Sequence, residues 1–301
     1  MIRVRVPATA ANLGPGFDAV GLALRLHNRL ELWDAPEPVV DVAGEGDDTL
    51  PRDPSHLAYR AAAAVVKRAG RALGRRQPAA FGIRQRNQIP LARGLGSSAA
   101  AIVGGAVAAN ELLGGPLDQQ ALLDLAAELE GHPDNVAPAL LGGLVVCAGT
   151  PDGVRALRVA PPPLPLVAAI PDFRVSTAEA RRLLPQRVPF ADAAFNVGRA
   201  ALLVAALREG RLDLLDAATE DRLHQPYRAT LVPGLTDVFA AARDAGADGV
   251  VLSGSGPTVL AFGNAPGIAP AMVEAFWRAG VRCRTLAVQV DTDGAVVETA
   301  A

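Results

Sequence analysis

Residues 90–101 read Pro-Leu-Ala-Arg-Gly-Leu-Gly-Ser-Ser-Ala-Ala-Ala, and this stretch constrains everything around it. A polar, alternating run (81–89) precedes it, and an unbroken run of small and apolar residues follows it to Leu113. That order predicts a strand, a tight glycine turn and a helix. Gly94 and Gly96 permit positive φ and a close approach of the backbone to a ligand. Ser97 and Ser98 open the predicted helix, whose first N–H groups lack intrahelical partners and whose dipole favours negative charge. Such a terminus suits a phosphate. A serine-capped turn with no ligand fits the same residues.

Other glycine-rich loops fit poorly. The dinucleotide pattern G-x-G-x-x-A needs a strand after the helix, ending in an acid about 20 residues on. Here Gly114-Gly115-Pro116 and a second helical run follow instead. A Walker loop needs a lysine before its serine, and a protein kinase needs one on a strand. The single lysine, Lys67, lies in the helical run 61–69.

The chain has 301 residues, half of them apolar, enough for one large or two medium domains. A net charge of −2 gives no support to a nucleic-acid partner. Cys147 and Cys283 form no C-x-x-C pair, so neither a disulfide framework nor a zinc site is expected. Residues 1–6 alternate like a strand and lack the apolar core of a signal peptide. No run offers the ~18 uninterrupted apolar residues of a membrane span. The expectation is a cytoplasmic protein with no membrane partner.

Read in order, residues 2–7 predict an edge strand and 8–18 a structured loop in which Asn12 and Asp18 suit turns. A strand over 22–34, a surface hairpin over 37–53 and a helix over 55–70 capped by Ser55 follow. Asp118 caps a helix ending at Glu130, where Glu128 and Glu130 oppose the dipole. Solvation accounts for that, and a bound cation accounts for it better. His132-Pro133-Asp134-Asn135 is dense in polar groups, with Asp134 or Asn135 placed to cap a helix over 136–141. Residues 151–165, holding Pro161-Pro162-Pro163, read as a linker. A capping box, Ser176 to Glu179, opens a helix bearing Arg181 and Arg182, and helices are predicted over 191–208 and 212–224. The last third alternates helices and strands around Ser253-Gly254-Ser255-Gly256-Pro257, arguing an α+β or split βαβ layer with helices on one face.

Residues 90–100 resemble the phosphate loop of the GHMP kinases. Residues 7–18 (Pro-Ala-Thr-Ala-Ala-Asn-Leu-Gly-Pro-Gly-Phe-Asp), 130–138 (Glu-Gly-His-Pro-Asp-Asn-Val-Ala-Pro) and 252–258 (Leu-Ser-Gly-Ser-Gly-Pro-Thr) resemble the branch of that superfamily that acts on homoserine. The resemblance implies ATP-dependent phosphorylation of the side-chain hydroxyl of L-homoserine to O-phospho-L-homoserine, a step toward threonine. It implies a two-domain α+β fold: an ATP-binding domain over 1–160, like the second domain of ribosomal protein S5, and a ferredoxin-like domain over 161–301.

By the same resemblance Pro90, Leu91, Ala92, Arg93, Gly94, Leu95, Gly96, Ser97, Ser98, Ala99 and Ala100 hold the nucleotide, and His56 stands where the family commonly has an asparagine near the adenine. Ser98 and Glu130 match the positions that hold Mg²⁺. Asn12 and Asp18 match the side that takes the substrate amino group, Arg181 and Arg228 the carboxylate clamp, and His132 and Asn135 residues near the reacting hydroxyl. A homodimer is a further expectation of the family. Asn135 stands where mevalonate-type relatives place an aspartate, so no general base is expected there. Positioning and charge neutralisation are expected to carry the catalysis, with the hydroxyl proton passing to the γ-phosphate.

Overall fold

In a computed structural model, residues 1–70, 78–160 and 163–298 are described; Pro161 and Pro162 of the predicted linker lie outside them. Two sheets organise the chain. The first contains β1 (Ile2–Ala11), β2 (Val20–Ala35), β3 (Val39–Gly44), β4 (Ala80–Asn87), β5 (Leu144–Thr150), β6 (Gly153–Val159) and the last strand, Val296–Glu298. The second contains β7 (Leu166–Pro171), β8 (Gly249–Leu252), β9 (Val259–Phe262) and β10 (Cys283–Val288).

β1 runs past Pro7 to Ala11, and its register against β2 shifts between Pro7 and Ala8. Proline cannot donate to a ladder, so the strand passes it through a bulge. Nor is β1 an edge, because the C-terminal strand, β11, pairs with its outer side. Residues 37–53 form no hairpin: β3 pairs in parallel with β4, reached through α1 (Leu57–Ala69). The cap of α1 is His56, whose Nδ1 accepts from the Ala58 N–H at 3.3 Å, rather than Ser55. The predicted linker contains β6, paired with β5.

α2 (Ser97–Leu112) is mostly small residues, chiefly alanine, with Ser97, Ser98, Gly104 and Gly105, which lets it lie deep between the first sheet and α1. A Cβ on Gly105 would meet the Ala58 carbonyl oxygen at 2.1 Å, so the two helices approach backbone to backbone. α3 (Gln119–Glu130) is capped by Asp118, whose carboxylate accepts from the Ala121 N–H at 2.8 Å. α4 (Pro133–Leu141) begins one turn earlier than predicted: His132 is its N-cap residue and Pro133 its first residue.

The second sheet has the order β10-β7-β9-β8, all antiparallel. With α9 (Leu235–Asp244) and α10 (Ile268–Arg278) packed on it, this is the strand order of a ferredoxin-like βαββαβ unit. Between β7 and α9 lie α5 (Thr177–Arg182), α6 (Phe190–Glu209), α7 (Leu215–Ala218) and α8 (Gln225–Arg228), so the predicted helix over 212–224 is broken into pieces. α6 is long and apolar enough, by length and composition, to cross a membrane, and only Asn196, Leu203, Ala206 and Leu207 of it are buried among the described residues. Its Asp192 and Arg199 interrupt the uninterrupted apolar run that the sequence criterion required.

Candidate active site

A cavity of about 540 Å³ opens between the two sheets and is lined by segments spread along the chain from Ala11 to Ser255. Its floor is the loop entering α2. Ala92, Gly94 and Gly96 all have positive φ, and Gly96 caps α2 with no side-chain hydrogen bond, which leaves the helix N-terminus facing the cavity. Both glycines are sterically required. A Cβ at Gly94 would lie 2.1 Å from the Ser253 carbonyl oxygen, and one at Gly96 would lie 1.9 Å from Thr9 Oγ1. The loop at 253–258 braces this turn: Ser253 Oγ donates to the Gly94 carbonyl at 2.6 Å, and the Thr258 N–H to that of Arg93 at 3.3 Å.

Ser98 Oγ donates to Glu130 Oε1 at 2.6 Å, joining the first turn of α2 to the last residue of α3. Burial pushes the Glu130 carboxyl up, against the Ser98 hydrogen bond and the charge of His132. Two hard oxygen donors side by side beneath a phosphate loop, one of them a carboxylate that a cation would help to ionise, fit a magnesium ion. Next along the chain, His132 Nδ1 lies 2.6 Å from Oδ1 of the buried Asp134. Burial pushes the imidazole down, but the Asp134 hydrogen bond and the charges of Asp134 and Glu130 outweigh it and leave it raised. Asn135 Oδ1 accepts from Thr9 Oγ1 at 2.7 Å.

Opposite charges meet across the two halves of the chain. Arg181, on α5, makes a two-pronged pair with Asp18, at 2.7 and 2.9 Å. That hydrogen bonding raises the guanidinium further, against its burial. Asn12 holds the loop that carries Asp18: its Oδ1 accepts from the Asp18 N–H at 3.1 Å, and its Nδ2 donates to the Gly254 carbonyl at 3.0 Å. Arg228 is buried at 2% exposure, its Nη1 donating to Gly254 O at 2.8 Å. Its Nε has no hydrogen-bond partner among the described residues. Burial, with Arg181 nearby, brings this guanidinium down to about 10. Both arginines lie over the Phe17 ring, their guanidinium carbons 5.5 and 5.3 Å from its centre.

Asn12, Asp18, His56, Ser98, Glu130, His132, Asn135, Arg181 and Arg228 all line this one cavity, as do residues 90–98. Ala99 and Ala100 do not: their methyl groups are buried in the core. Arg93 is turned away from the helix terminus, its guanidinium donating to the carbonyls of Leu91, Pro171 and Asp172 and so fastening the loop to the end of β7. His56 contributes a buried ring whose Nδ1 is spent on the α1 cap.

Three participants were not found by sequence reasoning. Thr9 reads as part of the structured loop over 8–18, Asp134 as a helix cap, and His224 as part of a helix. His224 is fully buried, with Nε2 2.7 Å from the Gly14 carbonyl and Nδ1 3.3 Å from Arg228 Nη1. Since a carbonyl only accepts, Nε2 carries the proton and the Nδ1 lone pair faces the arginine. The one local signal was spacing, because His224 and Arg228 are four apart.

Residues 56–143 match the family model described as the GHMP kinases N terminal domain, and 203–281 the one described as GHMP kinases C terminal. The fold and this cavity thus define a kinase of the GHMP class. The chain is 51% identical over 297 residues to homoserine kinase of Moorella thermoacetica, covering 98% of this chain and 99% of that one. A crystal structure of homoserine kinase from Cytophaga hutchinsonii superimposes with a TM-score of 0.85 at 32% identity, covering 99% and 97% of the two chains. The chain belongs to the homoserine kinase family. Mevalonate kinase of L. major, at 18% identity and a TM-score of 0.70 over 96% of this chain and 95% of that one, shares the fold.

Proposed function

We propose that this chain transfers the γ-phosphoryl group of ATP to the side-chain hydroxyl of L-homoserine, giving ADP and O-phospho-L-homoserine. The observation that carries the proposal is one cavity holding both an open helix N-terminus for phosphate and a charge arrangement for a zwitterion. The Nε of buried Arg228, without a partner among the described residues, calls for an acidic ligand, since a buried charge that is not fully paired is costly. Asp18 and Arg181 satisfy each other at rest. An amino acid entering between them gives its ammonium to Asp18 and its carboxylate to Arg181 and Arg228, so each ionic partner is exchanged rather than lost.

The phosphates lie on the backbone N–H groups around Gly94 to Ser98, where the helix dipole favours them. Ser98 and Glu130 would hold Mg²⁺, which when bound neutralises charge on the phosphates. His132, held by Asp134, and Asn135 then face the hydroxyl end of the substrate. The hydroxyl oxygen bonds to the γ-phosphorus as the bond to the β-phosphate oxygen breaks, and its proton passes to an oxygen of the transferred group. No carboxylate is needed at Asn135 for that route.

A coupled ADP-release assay with L-homoserine, mevalonate, L-serine and no acceptor tests this, with and without Mg²⁺. Magnesium-dependent turnover confined to homoserine is expected, and S98A and E130Q are expected to lose most of it. Turnover with mevalonate and none with homoserine would overturn the assignment of Asp18, Arg181 and Arg228.

A further inference from the structure

Thr9 is fully buried on β1, yet its hydroxyl reaches the candidate site. Its backbone N–H donates to the Leu95 carbonyl at 3.1 Å, which ties it to the phosphate loop. Its Oγ1 donates to Asn135 Oδ1 at 2.7 Å, which ties it to the acceptor side. Gly96 is packed on this pair: a Cβ there would lie 1.9 Å from Thr9 Oγ1 and 3.2 Å from Asn135 Oδ1. A primary amide has one acceptor oxygen and one donor nitrogen. With the oxygen taken by Thr9, the N–H groups of Asn135 are left to donate to another partner, and Asn135 lines the cavity.

We propose that Thr9 is the positioning residue that fixes the amide of Asn135 in this sense, so that Asn135 donates to the oxygens of the acceptor hydroxyl and the transferred phosphoryl group. This rests on the placement of Asn135 at the reacting hydroxyl proposed above. It explains why an asparagine serves here: an aspartate has no N–H to offer and would set a second negative charge against the phosphoryl oxygens. It also couples the two halves of the site, since one residue registers both the loop that holds the nucleotide and the side chain that meets the acceptor.

The experiment compares T9V, T9S, N135A, N135D and the double variant T9V/N135A by steady-state kinetics and thermal unfolding. T9V removes the hydroxyl at nearly constant shape, and T9S keeps it. T9V is expected to lower kcat about 10-fold to 100-fold with KM for ATP within about twofold, whereas T9S stays within about threefold of the parent. The double variant is expected to be no slower than N135A alone, because the two residues act as a unit. A purely structural role for Thr9 would instead lower the melting temperature and leave kcat of the folded enzyme unchanged. T9V with parental kcat beside an impaired N135A would overturn the positioning role, as would losses that multiply in the double variant. N135D requires no change at the buried Thr9; parental turnover by N135D would overturn the donor argument. Parental turnover by N135A would overturn the placement of Asn135 itself.

Discussion

At the scale of single residues, Arg228 carries the sharpest consequence. A guanidinium buried to 2% exposure, with carbonyl and imidazole acceptors on one nitrogen and, among the described residues, none on Nε, is held ready for an anion. Replacing it by glutamine keeps much of the shape and removes the charge. A charge-assisted hydrogen bond contributes about 1.5–3 kcal/mol, so R228Q should raise KM for homoserine roughly 10-fold to 100-fold. KM for ATP should stay within about twofold, and initial-rate kinetics with each substrate varied in turn separate the two. This residue was legible in the sequence only through resemblance: Pro226-Tyr227-Arg228 has no periodicity that marks it as buried. Arg93 was legible as part of the loop, but its direction was not. That direction depends on the end of β7 lying beside the loop, a fact about tertiary contact. Thr9 was hidden because residues 8–18 read as a loop, with no sign that β1 continues through Pro7 and carries the Thr9 hydroxyl to Asn135.

At the scale of elements, α8 has four residues and could not persist alone. Asp221 substitutes for the missing turns. Its carboxylate accepts from the backbone N–H groups of Leu223, His224 and Gln225 at 2.9, 3.0 and 2.6 Å, and from Asn196 Nδ2 at 2.8 Å. Asn196 Oδ1 in turn accepts from the Arg222 N–H at 2.8 Å, so α6 is joined to the same turn. D221A should therefore cost about 1–3 kcal/mol of stability and also raise KM for homoserine through the displacement of His224 and Arg228. Denaturant midpoints and homoserine KM should move together, with KM for ATP spared. Local pattern was a good guide where an element is long and sequential, as for α2 and α3, whose small-residue run and Asp118 cap are visible in the chain. It failed where the partner is distant. The stretch 37–53 has the glycines of a hairpin, yet β3 pairs with β4 across the whole of α1. β1 looked like an edge because the strand that covers it comes from the far end of the chain.

At the scale of the whole molecule, the chain must return from the second sheet to the first, and the return is fastened at one buried carboxylate. Asp291 is 1% exposed and follows β10 by three residues. Its Oδ2 lies 2.7 Å from His27 Nε2 on β2, and its Oδ1 accepts from the N–H groups of Asp293 and Gly294 at 3.0 and 2.8 Å. Gly142 and Gly143 meet this turn closely, the Gly143 N–H donating to the Asp291 carbonyl at 2.7 Å. Burial alone would raise the carboxyl, but the hydrogen bonds from His27 and the two backbone groups, with the charge of His27, outweigh it and lower it below 3.8. A carboxyl depressed in the folded state contributes stability that is fully present above its unfolded pKa and is lost as pH falls through the folded one. D291N removes that contribution while keeping the size of the side chain. It should lower unfolding stability by about 1–3 kcal/mol near pH 7, a deficit that stays level down to about pH 5. Below that the parent loses what the variant never had, and the gap should narrow. Urea midpoints at half-unit steps from pH 3 to 7 measure it. A gap that widened toward acid would mean that the ionised Asp291 opposes folding and that the return of β11 to β1 is held by other contacts.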